Sequence, residues 1–146
     1  MLTLMFAAAA LAAPPVTAAG EAPRAFAEGQ VWEYRTRPQD RGSLMRIQRI
    51  EPHLAGGSDD RIYHISIIGV RFATPGVGGE LQHLPVSRAS LDASVTRLSA
   101  SAAVFPDPSE GIALWREARG GVFDVPLAEI VAFAEQAVAR GTPQPQ

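Results

Sequence analysis

The chain has 146 residues, of which 47% are hydrophobic and 19% are charged, and its formal net charge is −2. A chain of this length and balance forms one globular domain, which excludes a disordered protein and a general electrostatic attraction to nucleic acid or anionic lipid. Because there is no cysteine, disulfides, thiolate metal sites, a cysteine nucleophile and a lipid-modified bacterial N-terminus are also excluded.

Residues 1–19 predict a signal peptide. They carry no charge, and their apolar run (LTLMFAAAALAA) ends at Pro14-Pro15, before small residues that suit a signal peptidase. The run is shorter than the ~20 residues that cross a bilayer. We expect cleavage after Ala18 or Ala19 and a periplasmic or secreted protein. Since no Lys or Arg precedes the apolar run, the alternative is a disordered Ala-rich tail on a cytosolic protein.

Strands are predicted next, after a polar lead-in at residues 20–29 that we expect to be disordered. Residues 30–37 alternate between apolar and charged side chains, as a half-buried strand does. Residues 43–51 predict a second strand, and residues 61–72, rich in β-branched and aromatic side chains, predict a third. Turn formers separate the three, which therefore form a meander. Residues 81–86 are a candidate fourth strand, placed at an edge because Pro85 lacks an amide donor.

Helical patterns fill the rest of the chain. The first helix has Ser87 as its candidate N-cap and is predicted to end near Ser101; its apolar stripe consists of Leu91, Val95, Leu98 and Ala102. The second begins at Asp107-Pro108, where Glu110 completes a capping box, and ends at Gly120-Gly121. The third begins at Pro126 and fades at Arg140-Gly141, before a tail at 141–146 that we expect to be disordered.

This order of elements predicts one α+β domain over residues 30–140. We expect an antiparallel three- to four-stranded meander sheet with three C-terminal helices packed on one face. A turn centred near Asp40-Arg41 would set Tyr34 opposite Ile47 and Arg35 opposite Arg46, because the hydrophobic pattern pins the register. The predicted apolar face carries Trp32, Tyr34, Thr36, Met45, Ile47, Tyr63, Ile65 and Ile67.

The opposite face of the sheet is the candidate binding surface. It carries Arg35, Arg37, Arg46, Gln48, His64 and Ser66. Two arginines directly across a strand pair repel each other, and guanidinium groups bind carboxylates and phosphates well. We therefore predict that the arginines hold a small anion or an acidic partner protein, with His64 adding a pH-dependent contact. The alternative is a solvated face that a loop or a second copy partly covers.

The sequence predicts no catalytic, cofactor or metal site. A hairpin around residues 73–80 would set His83 opposite Val70 and about 20 Å from His64, which argues against a two-histidine metal site. The chain has no GxSxG elbow, no triad order and no phosphate loop in the required context. The alternative function is a small hydrolase or isomerase in which His64 or His83 meets a carboxylate that folding brings close.

Four segments together resemble a family of small, uncharacterised bacterial proteins that often begin with a signal-like segment. They are WEYRTRPQDRGSLMRIQRIE, IYHISIIGVRF, LQHLPVSRASLDASVTRL and FPDPSEGIALWREARGGVFDVPLAEIV. The resemblance extends from about Trp32 to Val131 and implies a single small bacterial domain, in agreement with export, but no activity or ligand. We therefore expect an exported, non-catalytic binding or accessory protein of the bacterial envelope.

Overall fold

The computed structural model describes residues 24–57 and 60–141, so the predicted signal peptide lies outside the described residues. One antiparallel five-stranded sheet and three α-helices give an α+β fold. The strands are β1 (Val31–Tyr34), β2 (Leu44–Pro52), β3 (Arg61–Arg71), β4 (Gly78–Val86) and β5 (Val95–Ser99). The helices are α1 (Arg88–Ser94), α2 (Ser109–Glu117) and α3 (Leu127–Ala139). Within the described residues, no helix has the length and apolar character needed to cross a membrane.

The strand order is β4-β3-β2-β1-β5, so the first four strands form the predicted meander. β4 is the candidate fourth strand, and it lies at an edge as Pro85 predicts. β5 was not predicted. The first helix was expected to continue to Ser101, but α1 ends at Ser94 and the chain continues as a strand. The β-branched pair Val95-Thr96 favours a strand, and pairing with the free edge of β1 satisfies its backbone.

The predicted register between β1 and β2 is wrong by four residues. Trp32 pairs with Met45, because a 3-10 turn at Pro38–Asp40 moves the centre of the hairpin towards the N-terminus. The buried carboxylate of Asp40 fixes this turn by accepting hydrogen bonds from Arg37 Nε (2.6 Å) and the Arg71 amide (2.7 Å). A shift by an even number of residues leaves each side chain on its predicted face. The predicted pair of Arg35 and Arg46 is not formed.

The predicted apolar face is the main hydrophobic core. Its strand residues pack against Leu91 of α1 and against Leu127, Ile130 and Val131 of α3, all at most 1% exposed. Phe26, in the described part of the lead-in, packs edge-on against Trp32 at a ring distance of 5.6 Å. Residues 26–29 therefore lie against the sheet, where the Gly29 amide donates to the Ile47 carbonyl of β2.

The three helices do not share one face of the sheet, and this part of the predicted architecture is wrong. α1 and α3 cover the core face, whereas α2 covers the opposite face, where its Trp115 ring contacts His64. The covering segment, defined here as residues 100–107, runs from β5 across this second face to α2. Ile112 of α2 and Phe105 of the covering segment are buried, at 4% and 9% exposure. The second face was predicted to be open because its polar residues outnumber its apolar ones.

Candidate functional site

Two histidines meet on the second face. His64 of β3 and His83 of β4 lie on neighbouring strands, with 2.8 Å between His64 Nδ1 and His83 Nε2 and stacked rings 5.1 Å apart. The predicted separation of about 20 Å is wrong, because the turn at Thr74–Val77 is tighter than assumed and sets Leu84 opposite Ile65. A bulge between the pairs of Ile65 and Ile67 then brings His83 beside His64.

The pair is closed by α2. The Trp115 ring stands edge-on to His64 at 5.0 Å, and His64 is completely buried. Gly111 allows the close approach of α2, since a Cβ at this position would lie 2.6 Å from Cβ of His83. Gly120 has a similar role, because its Cβ would lie 2.2 Å from Cδ1 of Trp115. Gly111 therefore lets α2 pack directly against His83, and Gly120 leaves room for the indole ring of Trp115.

Charged groups surround the histidine pair. Glu51 Oε2 lies 3.4 Å from His64 Nε2, and the other carboxylate oxygen of Glu51 pairs with Arg116 of α2. Arg49 is the residue opposite His64 in the β2–β3 ladder. From β2, the positive charge of Arg49 and the negative charge of Glu51 thus lie near His64. Arg116 of α2 pairs with Glu51.

Burial keeps both imidazoles neutral at neutral pH. Burial and, to a smaller extent, the charge of Arg49 together lower the pKa of His64 from 6.5 to about 4. Burial also lowers the pKa of His83 to about 4, with a smaller contribution from the neighbouring His64. The tautomer that fits the contact between the rings has His83 Nε2 donating to His64 Nδ1 and leaves a proton on His64 Nε2. Among the described residues this buried nitrogen has no hydrogen-bond partner, although Glu51 Oε2 lies 3.4 Å from it.

A layer of hydrogen bonds ties the covering segment to the sheet beside the pair. Gln48 Nε2 donates to Ser66 Oγ and to the Pro106 carbonyl, each at 3.1 Å. Ser66 Oγ donates to the Gln82 carbonyl at 2.7 Å, and Gln82 Nε2 donates to the Asp107 carbonyl at 2.7 Å. Gln48 and Ser66, both predicted binding residues, therefore hold the covering segment in place.

The predicted arginines are separated. Arg35 lies beyond β1 and donates from Nη1 to the Ala93 carbonyl at 2.8 Å. Arg37 lies beside α3 and pairs with Asp40 and, at 3.3 Å, with Glu135. Arg46 stays on the second face, opposite Ser66, and its buried Nε has no hydrogen-bond partner. With His64, Gln48 and Ser66 under the cover, the six predicted residues do not share one exposed surface.

No protein-family model, curated protein or solved structure matches this chain. The resemblance to small bacterial proteins therefore stays a prediction, and a function has to be argued from geometry. Among residues 24–57 and 60–141, no group of three or more His, Cys, Asp or Glu side chains is arranged to hold a metal ion. What the site offers chemically is a pair of neutral imidazoles, His64 fully buried and His83 partly buried, with the carboxylate of Glu51 3.4 Å from His64 Nε2.

Proposed function

We propose that the protein is an exported, non-catalytic binding or accessory protein of the bacterial envelope whose α2 responds to acid. The observation that supports the acid response is the 2.8 Å contact between the partly buried imidazole of His83 and the fully buried imidazole of His64, which Trp115 contacts edge-on. The signal-like N-terminus supports export, and a periplasmic or secreted protein is exposed to the pH of its surroundings. The polar groups of the site, Gln48, Ser66 and Gln82, hold the covering segment in place. Because these groups are used within the fold, we favour binding over catalysis.

Protonation changes the contact between the imidazoles from attractive to repulsive. With one proton added, one ring can still accept a hydrogen bond from the other. With two protons added, N–H groups of both rings face each other across 2.8 Å, and two like charges are buried together. Glu51 compensates only in part, because it also pairs with Arg116, and Arg49 adds a further positive charge on the same side.

α2 is the element that can move at least cost. It contacts the sheet through few groups, chiefly Ile112, Trp115 and Gly111, and it lies outside the main hydrophobic core. α3, in contrast, places Leu127 and Ile130 in that core. We therefore expect acid to release α2 before the core opens, in a local unfolding step.

Amide hydrogen exchange resolved along the chain tests this order of events. After correction for the intrinsic pH dependence of exchange, the amides of α2 should lose protection at about pH 4.5 relative to pH 7, while those of α3 keep theirs. The variant His64→Leu/His83→Leu should keep α2 protected at both pH values, whereas His53→Gln should behave as the native protein does. Simultaneous loss in α2 and α3, or no loss in α2, would contradict the proposal.

A second candidate, a small hydrolase or isomerase, is favoured by one specific observation. Glu51, His64 and His83 form a line of carboxylate, imidazole and imidazole, with steps of 3.4 Å and 2.8 Å. Such a line leaves Nδ1 of His83 as a base at its outer end. Hydrolysis of an activated ester such as p-nitrophenyl acetate separates the candidates: an enzyme loses rate in His83→Leu, whereas a binding protein gives the same slow rate with and without this change.

A further inference from the structure

β5 is an open edge of the sheet. Among the described elements it pairs only with β1, so one row of its backbone N–H and C=O groups faces outward. Its central residues Thr96, Arg97 and Leu98 are exposed, and Leu98 is 52% exposed. An edge of this kind is a template for another extended chain.

The opposite edge of the sheet is covered at the C-terminal end of β4. β4 contains Pro85, and Phe123 lies alongside the C-terminal end of the strand, where its amide donates to the Pro85 carbonyl at 2.9 Å. The Ser87 amide then donates to the Phe123 carbonyl at 2.9 Å. These are common devices against unwanted strand pairing. Nothing comparable covers β5 in the described part of the chain, which marks its edge as the one available to a partner.

Exposed apolar residues continue from β5 along the start of the covering segment. Residues 100–104 (ASAAV) are all exposed, and Val104 is 89% exposed. Small side chains next to an open strand edge let a second backbone approach closely. The strand edge and this apolar run therefore form one continuous elongated surface.

We propose that the β5 edge binds an extended segment of another protein as an added strand, with an acidic residue opposite Arg97. Arg97 donates to Glu33 from Nε and Nη2, at 3.1 and 2.9 Å. A guanidinium group has five N–H donors, so three are left for a carboxylate of the partner. Antiparallel pairing with a second copy, centred on Arg97, would set this arginine opposite its own equivalent, which disfavours a second copy in that register.

Two synthetic peptides test the proposal, acetyl-Thr-Val-Glu-Val-Thr-amide and its lysine-centred counterpart. With each at about 1 mM, amide NMR shifts and hydrogen-exchange protection are measured on the native protein at neutral pH. We expect the glutamate peptide to shift and protect the amides of β5 and to bind about fivefold more tightly than the lysine peptide. Arg97→Glu should reverse the preference, and Arg140→Glu, the same charge change on an exposed arginine after α3, should not.

Three results would overturn the proposal. They are the absence of any change at β5 with either peptide, an unchanged preference in Arg97→Glu, and a dimer through β5 in analytical ultracentrifugation. The last result would identify a second copy as the occupant. All these measurements are made at neutral pH, where α2 stays closed. The test of strand addition and the test of the acid response can therefore succeed or fail independently.

Discussion

Acidification should destabilise this protein by an amount that the histidine pair sets. The pKa of His64 is about 4 in the folded protein and 6.5 when unfolded, so between these values the unfolded chain binds more protons. The stabilising contribution is therefore complete above about pH 6.5 and is lost as the pH falls towards 4. At 1.36 kcal/mol for each unit of pKa, the loss for His64 is about 3 kcal/mol.

His83 adds to this loss, since its pKa is lowered to about 4 as well. The two rings are in contact and titrate as a pair, so the combined loss lies between about 3 and 6 kcal/mol. This is a large fraction of the stability of an ordinary domain, about 5–15 kcal/mol. Protonation of the two histidines alone should therefore remove a large part of the free energy of unfolding.

Urea unfolding between about pH 7.5 and pH 4.5, followed by tryptophan fluorescence, measures the effect. The native protein should lose about 3–5 kcal/mol more than His64→Leu/His83→Leu over this range, because the carboxylates titrate in both proteins and cancel in the difference. Equal pH dependence in the native protein and the double variant would refute the reasoning.

The remaining predictions concern packing, and each is measured by urea unfolding at neutral pH. Gly111→Ala should destabilise by about 1–3 kcal/mol, although Ala favours a helix, because the new methyl group would overlap His83. Asp40→Ala should cost about 3 kcal/mol, since it leaves a largely buried guanidinium group of Arg37 without its main partner. Tyr34→Phe should cost only about 1 kcal/mol, because Ser43 Oγ keeps its hydrogen bond to the Ile68 carbonyl.

Matched changes check these costs. Gly121→Ala adds a methyl group into open space and should stay within about 0.5 kcal/mol. Asp92→Ala removes a carboxylate that is 47% exposed and should cost at most about 1 kcal/mol. If Gly111→Ala stabilises the protein, α2 does not lie as close to His83 as described here.

The sequence was sufficient to predict which side chains point to the core, although the register was four residues out. Trp32, Met45 and Ile65 are buried as predicted, because the side-chain period of a strand is two and an even shift preserves it. The pairing itself depends on Asp40, which accepts a hydrogen bond from the neighbouring Arg37 and another from the amide of Arg71, far along the chain. No local pattern reveals such contacts.

β5 could not be distinguished from a helix by periodicity. Leu91, Val95 and Leu98 fit the apolar stripe of a helix. In the structure Val95 is the buried first residue of β5, and Leu98 is 52% exposed. The pairing partner of β5 is β1, far earlier in the chain. Non-local pairing of this kind overrides a weak local preference.

The histidine pair was missed because it depends on the position of the turn between β3 and β4 and on a bulge in that hairpin. The sequence held two indirect signals that the second face is covered. Ile62 alternates onto that face and needs burial, and Gly111 occupies a helix interior, where glycine is unfavourable unless something approaches closely. Neither signal identifies the covering element, since this requires the path of the covering segment across the sheet.

An NMR titration of the imidazole groups in the folded protein tests the central claim most directly. The NMR shifts of the carbon-bound imidazole protons of His64 and His83 should remain those of neutral rings down to about pH 5. Titration of either His64 or His83 near pH 6.5 would mean that the pair is solvated and that α2 does not close over it.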